Sequence, residues 1–97
     1  ALSRIARRHN VKLVVDNTFT PLIHSPKKLG ADIVVHSMTK IISGASDYIA
    51  GAICADADFI HQLIDLHTGM LMILGPTMDP QVAFNFSVRI PHLPLRM

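Results

Sequence analysis

Asp32-Ile33-Val34-Val35-His36-Ser37-Met38-Thr39-Lys40 is the stretch whose reading decides the fold. Val34 and Val35 sit in an unbroken apolar run, as expected of a short strand covered on both faces of a parallel sheet. The run stops at two hydroxyls and a lysine. Ser37 and Thr39 lie two apart, which in extended chain points both hydroxyls the same way and turns Lys40 to the other side. Two hydroxyls converging beside an amine suit an anion held next to a reactive carbon. A cofactor with a phosphate at one end and an aldehyde at the other needs such a site.

Working outward, Val11-Lys12-Leu13-Val14-Val15 is β-branched and apolar and reads as the first strand. It ends at Asp16-Asn17-Thr18, and open α/β sheets place their sites at the carboxyl ends of strands. Residues 1–9 read as the last turns of an amphipathic helix, with Leu2, Ile5 and Ala6 on one side and Asn10 as its stop. Thr20-Pro21 and Ser25-Pro26 break the chain, and Lys27-Lys28-Leu29-Gly30 is at most a helical turn. Beyond Lys40, Ser43-Gly44-Ala45-Ser46-Asp47 is a small-residue loop and Ile49–Cys54 a third strand. Asp56 and Asp58 supply an N-cap and a first-turn charge for a helix striped by Phe59, Ile60, Leu63, Ile64 and His67. Thr68-Gly69 closes it, Met70–Leu74 is an apolar link, and Gly75-Pro76 a turn. Asp79-Pro80 starts a last helix, with Val82, Ala83, Phe86 and Ile90 as its buried stripe and Pro91 as its end. This order of elements is α/β.

Composition limits what such a chain can do. The 97 residues are 49% apolar and only 16% charged, against roughly 25% charged in an ordinary soluble domain. Too little charge is available to coat a small sphere, so part of the surface is expected to lie against something else. The chain is read as a single incomplete domain, 1–97, of a larger subunit. Arg4, Arg7 and Arg8 cluster on the first helix without interleaved aromatics, which makes a solvated face rather than a nucleic-acid surface. The single cysteine, Cys54, excludes an internal disulfide and is expected to pack as a small hydrophobe. No apolar run approaches the ~18 residues of a membrane helix. A cytoplasmic protein, bound to neither membrane nor nucleic acid, is the expectation. His24, His36, His61 and His67 have no metal-ligand spacing, and the methionines read as core and interface filler.

Taken singly, Lys40 is a surface charge, Ser37 and Thr39 are loop hydroxyls, and Asp16 is a turn residue. Their joint pattern is more specific. Asp16-Asn17-Thr18-Phe19-Thr20-Pro21, Gly30 through Lys40, Gly44 and Ser46-Asp47 resemble the Cys/Met-metabolism family of pyridoxal-phosphate enzymes, across essentially the whole chain. Residues 70–97 look most like its methionine γ-lyase branch, through Leu74-Gly75-Pro76-Thr77-Met78 and Arg89-Ile90-Pro91-His92-Leu93. The resemblance implies part of the large cofactor-binding domain of a fold-type I enzyme, with a mostly parallel sheet flanked by helices. It implies pyridoxal 5′-phosphate as cofactor. By the same resemblance Lys40 forms the Schiff base and shuttles protons, Asp16 pairs with the pyridine nitrogen, Ser37 and Thr39 hold the phosphate, and Thr18 helps position the ring. Two positions depart from the family pattern: Ile41, commonly aromatic, and Ala45, commonly histidine.

The activity implied is a lyase acting on a sulfur amino acid (methionine, cystathionine or a homoserine derivative), by α,γ- or α,β-elimination or γ-replacement. A homo-oligomer, in the family a tetramer, is implied as well. The alternative is a catalytically inactive truncated piece that docks on full-length subunits. An unrelated nucleotide-binding α/β domain is disfavoured, since no Gly-x-Gly-x-x-Gly turn is present.

Overall fold

The computed structural model describes residues 1–75 and 77–97. Pro76, read above as half of a turn, lies outside the described residues. Helix α1 (Leu2–Arg8) leads to strand β1 (Val14–Asp16), which pairs in parallel with β2 (Ile33–Ser37). Asn10 stops α1 as expected. At φ 52° it makes the left-handed step, its N–H bonds the Arg7 carbonyl at 3.2 Å, and the Val11 N–H bonds the Ala6 carbonyl at 3.0 Å. The Asp32 carboxylate then accepts the Leu13 N–H at 2.8 Å, fixing the start of the parallel pairing.

After β2 the chain does not stay extended. Met38–Ile42 coils into one π-helical turn, closed by the Ser43 N–H to Met38 carbonyl bond at 2.8 Å. The expectation that Ser37 and Thr39 share one side of an extended chain is therefore corrected: only Ser37 is in the strand. The reason is burial. Met38 and Ile42, four apart, are 9% and 8% exposed and pack with Phe86 and Leu93 in one apolar cluster; a helical turn brings them together, whereas a strand would hold them about 13 Å apart. The chain then reverses through Gly44 (φ 76°) and Ser46 (φ 53°), and β3 (Gly51–Cys54) returns antiparallel to β2. The sheet, ordered β1-β2-β3, is mixed.

Helices α2 (Ala57–Ile64), α3 (Met70–Leu74) and α4 (Pro80–Arg89) follow, then a 3₁₀ segment over Ile90–Arg96. The last helix begins as its sequence suggests, the Asp79 carboxylate accepting the Gln81 and Val82 N–H groups beside Pro80. Four readings are corrected. Met70–Leu74 is helix rather than a link. Helix α2 stops before His67, because the Asp65 carboxylate draws the His67 and Thr68 N–H groups into a turn at 3.0 and 2.8 Å. Asp56 precedes α2 but makes no cap bond; its carboxylate instead accepts from Lys27 Nζ at 2.8 Å. Cys54 is exposed, since β3 is an edge strand without cover on that face.

The result is a slab 41 × 36 × 17 Å in extent. It exposes 7115 Å², against about 5,500 Å² for a compact monomer of this mass. Leu2 and Ile5 on α1, read as a packing face, are 70% and 53% exposed. Among the described residues no helix is long and apolar enough to cross a membrane.

Candidate functional site

The parallel register sets the site edge. Asp16 stands opposite Val35, and the Asn17 N–H bonds the Val35 carbonyl at 2.9 Å, so β1 and β2 end side by side. Asn17, 5% exposed, folds the following loop onto this edge: its amide donates to the Thr20 and His24 carbonyls, and its oxygen accepts the Thr20 hydroxyl at 2.6 Å. Thr18, 4% exposed, joins the two strand ends directly. Its Oγ1 accepts the Ser37 N–H at 2.8 Å.

Because that oxygen is already accepting, its proton is free to face Asp16. The Thr18 hydroxyl, and next the Thr18 backbone N–H, hold the exposed Asp16 carboxyl below its ordinary range. Partial desolvation opposes them and the nearby His36 adds a smaller lowering. Of the two Thr18 contacts, the N–H to Oδ1 bond at 2.9 Å has the better-formed geometry. Asp16 is thus an exposed, well-ionised carboxylate whose direction is fixed from behind. His36 itself is half-buried, and its Nδ1 has no partner among the described residues.

Thr39 is tied to the strand that returns. Its Oγ1 accepts the Ala50 N–H at 3.1 Å and donates to the Ala50 carbonyl at 3.5 Å. The second bond is long, so that proton could turn to an anion at little cost. Lys40 is exposed and enters no ion pair among the described residues. It lines a cleft of about 330 Å³ with Ile41, Gly44, Ser46 and Arg96. Asp16 lines a different hollow, of about 640 Å³, with Leu13, Asn17, His24 and Leu29 among others. Asp16, Thr18 and Ser37 are therefore brought into one bonded edge, while Lys40 faces a separate opening one turn further along.

Sequence reasoning passed over the groups that hold the loop behind Lys40. Arg89 of α4 grips Asp47 through Nη1 to Oδ1 at 2.5 Å and Nη2 to Oδ2 at 2.7 Å, and donates to the Ser43 hydroxyl at 3.1 Å. Its guanidinium lies 5.0 Å from the centre of the Tyr48 ring. The Arg89 hydrogen bond is the chief cause that lowers the Asp47 carboxyl to about 2. The available signal was weak: Arg89 stands between the apolar Val88 and Ile90, where a cation needs a partner.

The sequence pattern described as Cys/Met metabolism PLP-dependent enzyme matches residues 1–97. The chain belongs to this family. It is 57% identical over 96 residues to a methionine gamma-lyase of Arabidopsis thaliana, covering 99% of this chain and 22% of that one. To a cystathionine beta-lyase of Staphylococcus haemolyticus it is 43% identical, covering 99% of this chain and 24% of the other. The structure of a cystathionine gamma synthase from Xanthomonas oryzae superposes with TM-score 0.85 at 37% identity, over 95% of this chain and 23% of that chain. A methionine gamma lyase of Micromonospora echinospora gives 0.84 at 32%, over 97% and 25%. The chain spans about a quarter of the length of these family members. Pyridoxal 5′-phosphate is the cofactor of the family, and the α/β arrangement is that of its fold-type I members.

Proposed function

We propose that this chain is the cofactor-holding part of a sulfur amino acid lyase of the methionine γ-lyase kind, with α,γ-elimination as its reaction. Cystathionine cleavage or γ-replacement on a homoserine derivative is the nearest alternative chemistry. The observation that carries the reading is the bonded strand-end edge Asp16–Thr18–Ser37, followed one turn later by an exposed Lys40 without an ion pair among the described residues.

The residues fit pyridoxal 5′-phosphate by their donor chemistry. An ionised carboxylate suits the pyridine nitrogen, hydroxyls suit a phosphate, and a free amine suits an aldehyde. When bound, that cofactor supplies a sink for negative charge at the substrate α-carbon. Asp16 would keep a proton on the ring nitrogen, and Thr18 would keep Asp16 pointed and ionised. Ser37 and Thr39 would donate to the phosphate oxygens. Lys40 Nζ would hold the aldehyde carbon and, once the substrate amine has displaced it there, would take the substrate's α-proton and return it further along the chain of the substrate. A cytoplasmic homotetramer that completes the site with a neighbouring subunit belongs to the same proposal, supported by the uncovered apolar surface.

The test is an absorbance spectrum of the protein mixed with pyridoxal 5′-phosphate, before and after borohydride reduction, beside Lys40→Ala. A visible band fixed by reduction in the wild type and lost in the variant is expected. The same adduct in Lys40→Ala would remove Lys40 from its role. A second reading also has its own observation: 7115 Å² of surface with Leu29, Ile49, Leu66 and Leu95 each more than 70% exposed suits a piece that docks on full-length subunits without turnover. Co-purification with such subunits, in the absence of any reducible adduct, would favour it.

A further inference from the structure

Arg96 lies 55 positions beyond Ile41, yet its Nε donates to the Ile41 carbonyl at 3.1 Å and its Nη2 to the Ile42 carbonyl at 2.8 Å. These carbonyls end the turn that carries Lys40, and nothing in the following loop serves them. The Ala45 N–H goes instead to the Ser43 hydroxyl, and the Gly44 N–H to the Lys40 carbonyl. Carbonyls at the end of a helical turn are acceptors in want of donors and carry partial negative charge, and a cationic fork meets both needs. The approach is close: a Cβ on Gly44, at φ 76°, would stand 2.7 Å from Arg96 Nε.

We propose that Arg96 is a positioning residue for Lys40, a two-carbonyl latch that sets the direction in which the lysine leaves its turn. This rests on the proposed role of Lys40. The backbone at Lys40 leaves helical geometry (φ −87°, ψ −113°), so the turn's own bonding does not fix it on both sides. The buried Met38 and Ile42 hold its inner face, and Arg96 holds its outer end. Lys40 and Arg96 line the same cleft.

The experiment uses the complete protein loaded with pyridoxal 5′-phosphate and compares Arg96→Ala, Arg96→Lys, Arg89→Gln and Lys40→Ala. The readouts are cofactor affinity, visible circular dichroism of the bound cofactor, and thermal stability. Loss of the reducible band in Lys40→Ala establishes the underlying reading; its persistence there overturns that reading without reference to Arg96. With that established, Arg96→Ala is expected to weaken cofactor binding by about tenfold or more and to change the visible dichroism. Arg96→Lys, which keeps the charge but grips one carbonyl, is expected to restore only part of the affinity and of the dichroism. Arg89→Gln, which loosens the same loop without touching Ile41 or Ile42, is expected to lower stability with the dichroism unchanged. Wild-type affinity and dichroism in Arg96→Ala, or in Arg96→Lys should the alanine variant fail to fold, would overturn the proposal.

Discussion

Thr18 and Ser37, 19 positions apart, share a hydrogen bond at 2.8 Å in which the threonine hydroxyl oxygen receives the serine backbone N–H. One side chain thereby joins the ends of two parallel strands and leaves its own proton for Asp16. Thr18→Val keeps the shape and removes both. A loss of about 1–3 kcal/mol in urea unfolding is expected, since a partly buried N–H is left without this acceptor. Thr18→Ser should recover most of it. Equal stability of Thr18→Val and wild type would mean that the strand ends are held by other contacts.

The Asp47–Arg89 pair predicts a defined acid limb. The Asp47 carboxyl is lowered from 3.8 to about 2, chiefly by its hydrogen bond from Arg89. A carboxyl with a depressed folded-state pKa contributes stability that is complete above 3.8 and is lost as pH falls toward about 2. Denaturation midpoints measured across that window should drop with acid in the wild type and less in Asp47→Asn. Parallel curves would assign the acid limb to other carboxylates.

Gly44 and Gly51 offer a matched comparison. A Cβ at Gly44 meets a left-handed backbone and the Arg96 side chain at 2.7 Å, whereas at Gly51 the nearest atom is the His36 carbonyl oxygen at 3.6 Å. Gly44→Ala is expected to destabilise by more than about 1 kcal/mol, Gly51→Ala by less. Thermal melts of the pair decide it.

Phe86, 2% exposed, is the most buried side chain of the cluster that backs the Lys40 turn, and its ring centre lies 6.3 Å from that of Tyr48. Phe86→Ala should cost about 3–5 kcal/mol. Because Met38 and Ile42 lose their partner with it, cofactor affinity should fall in step, measurable by equilibrium titration.

The residues that follow strand ends were legible in the sequence, and so were Asn10 and Asp79, because each acts on backbone within a few positions of itself. An unbroken, β-branched apolar run located β2, but such a run carries no direction, and the reversal of β3 follows from the bend at Gly44 and Ser46. The turn at Met38–Ile42 hid for another reason. Its apolar residues four apart are a helical signal only once Phe86 and Leu93 are known to sit behind them. Arg96 and Arg89 act over 42 to 55 positions, a range that local pattern does not reach. Leu2 and Ile5 show the converse: their stripe is clear, yet both stay mostly exposed.

The span of the Arg96 latch also orders events in time. The Asp16–Ser37 edge closes over short loops and can form as soon as β2 has been made. The Lys40 turn stays open at one end until residue 96 arrives, after a loop closure of more than twice the length. During synthesis the carboxylate side of the site is therefore the early half and the amine side the late one. The turn that carries Lys40 is thus completed by the docking of the 3₁₀ segment, not by the strand it follows.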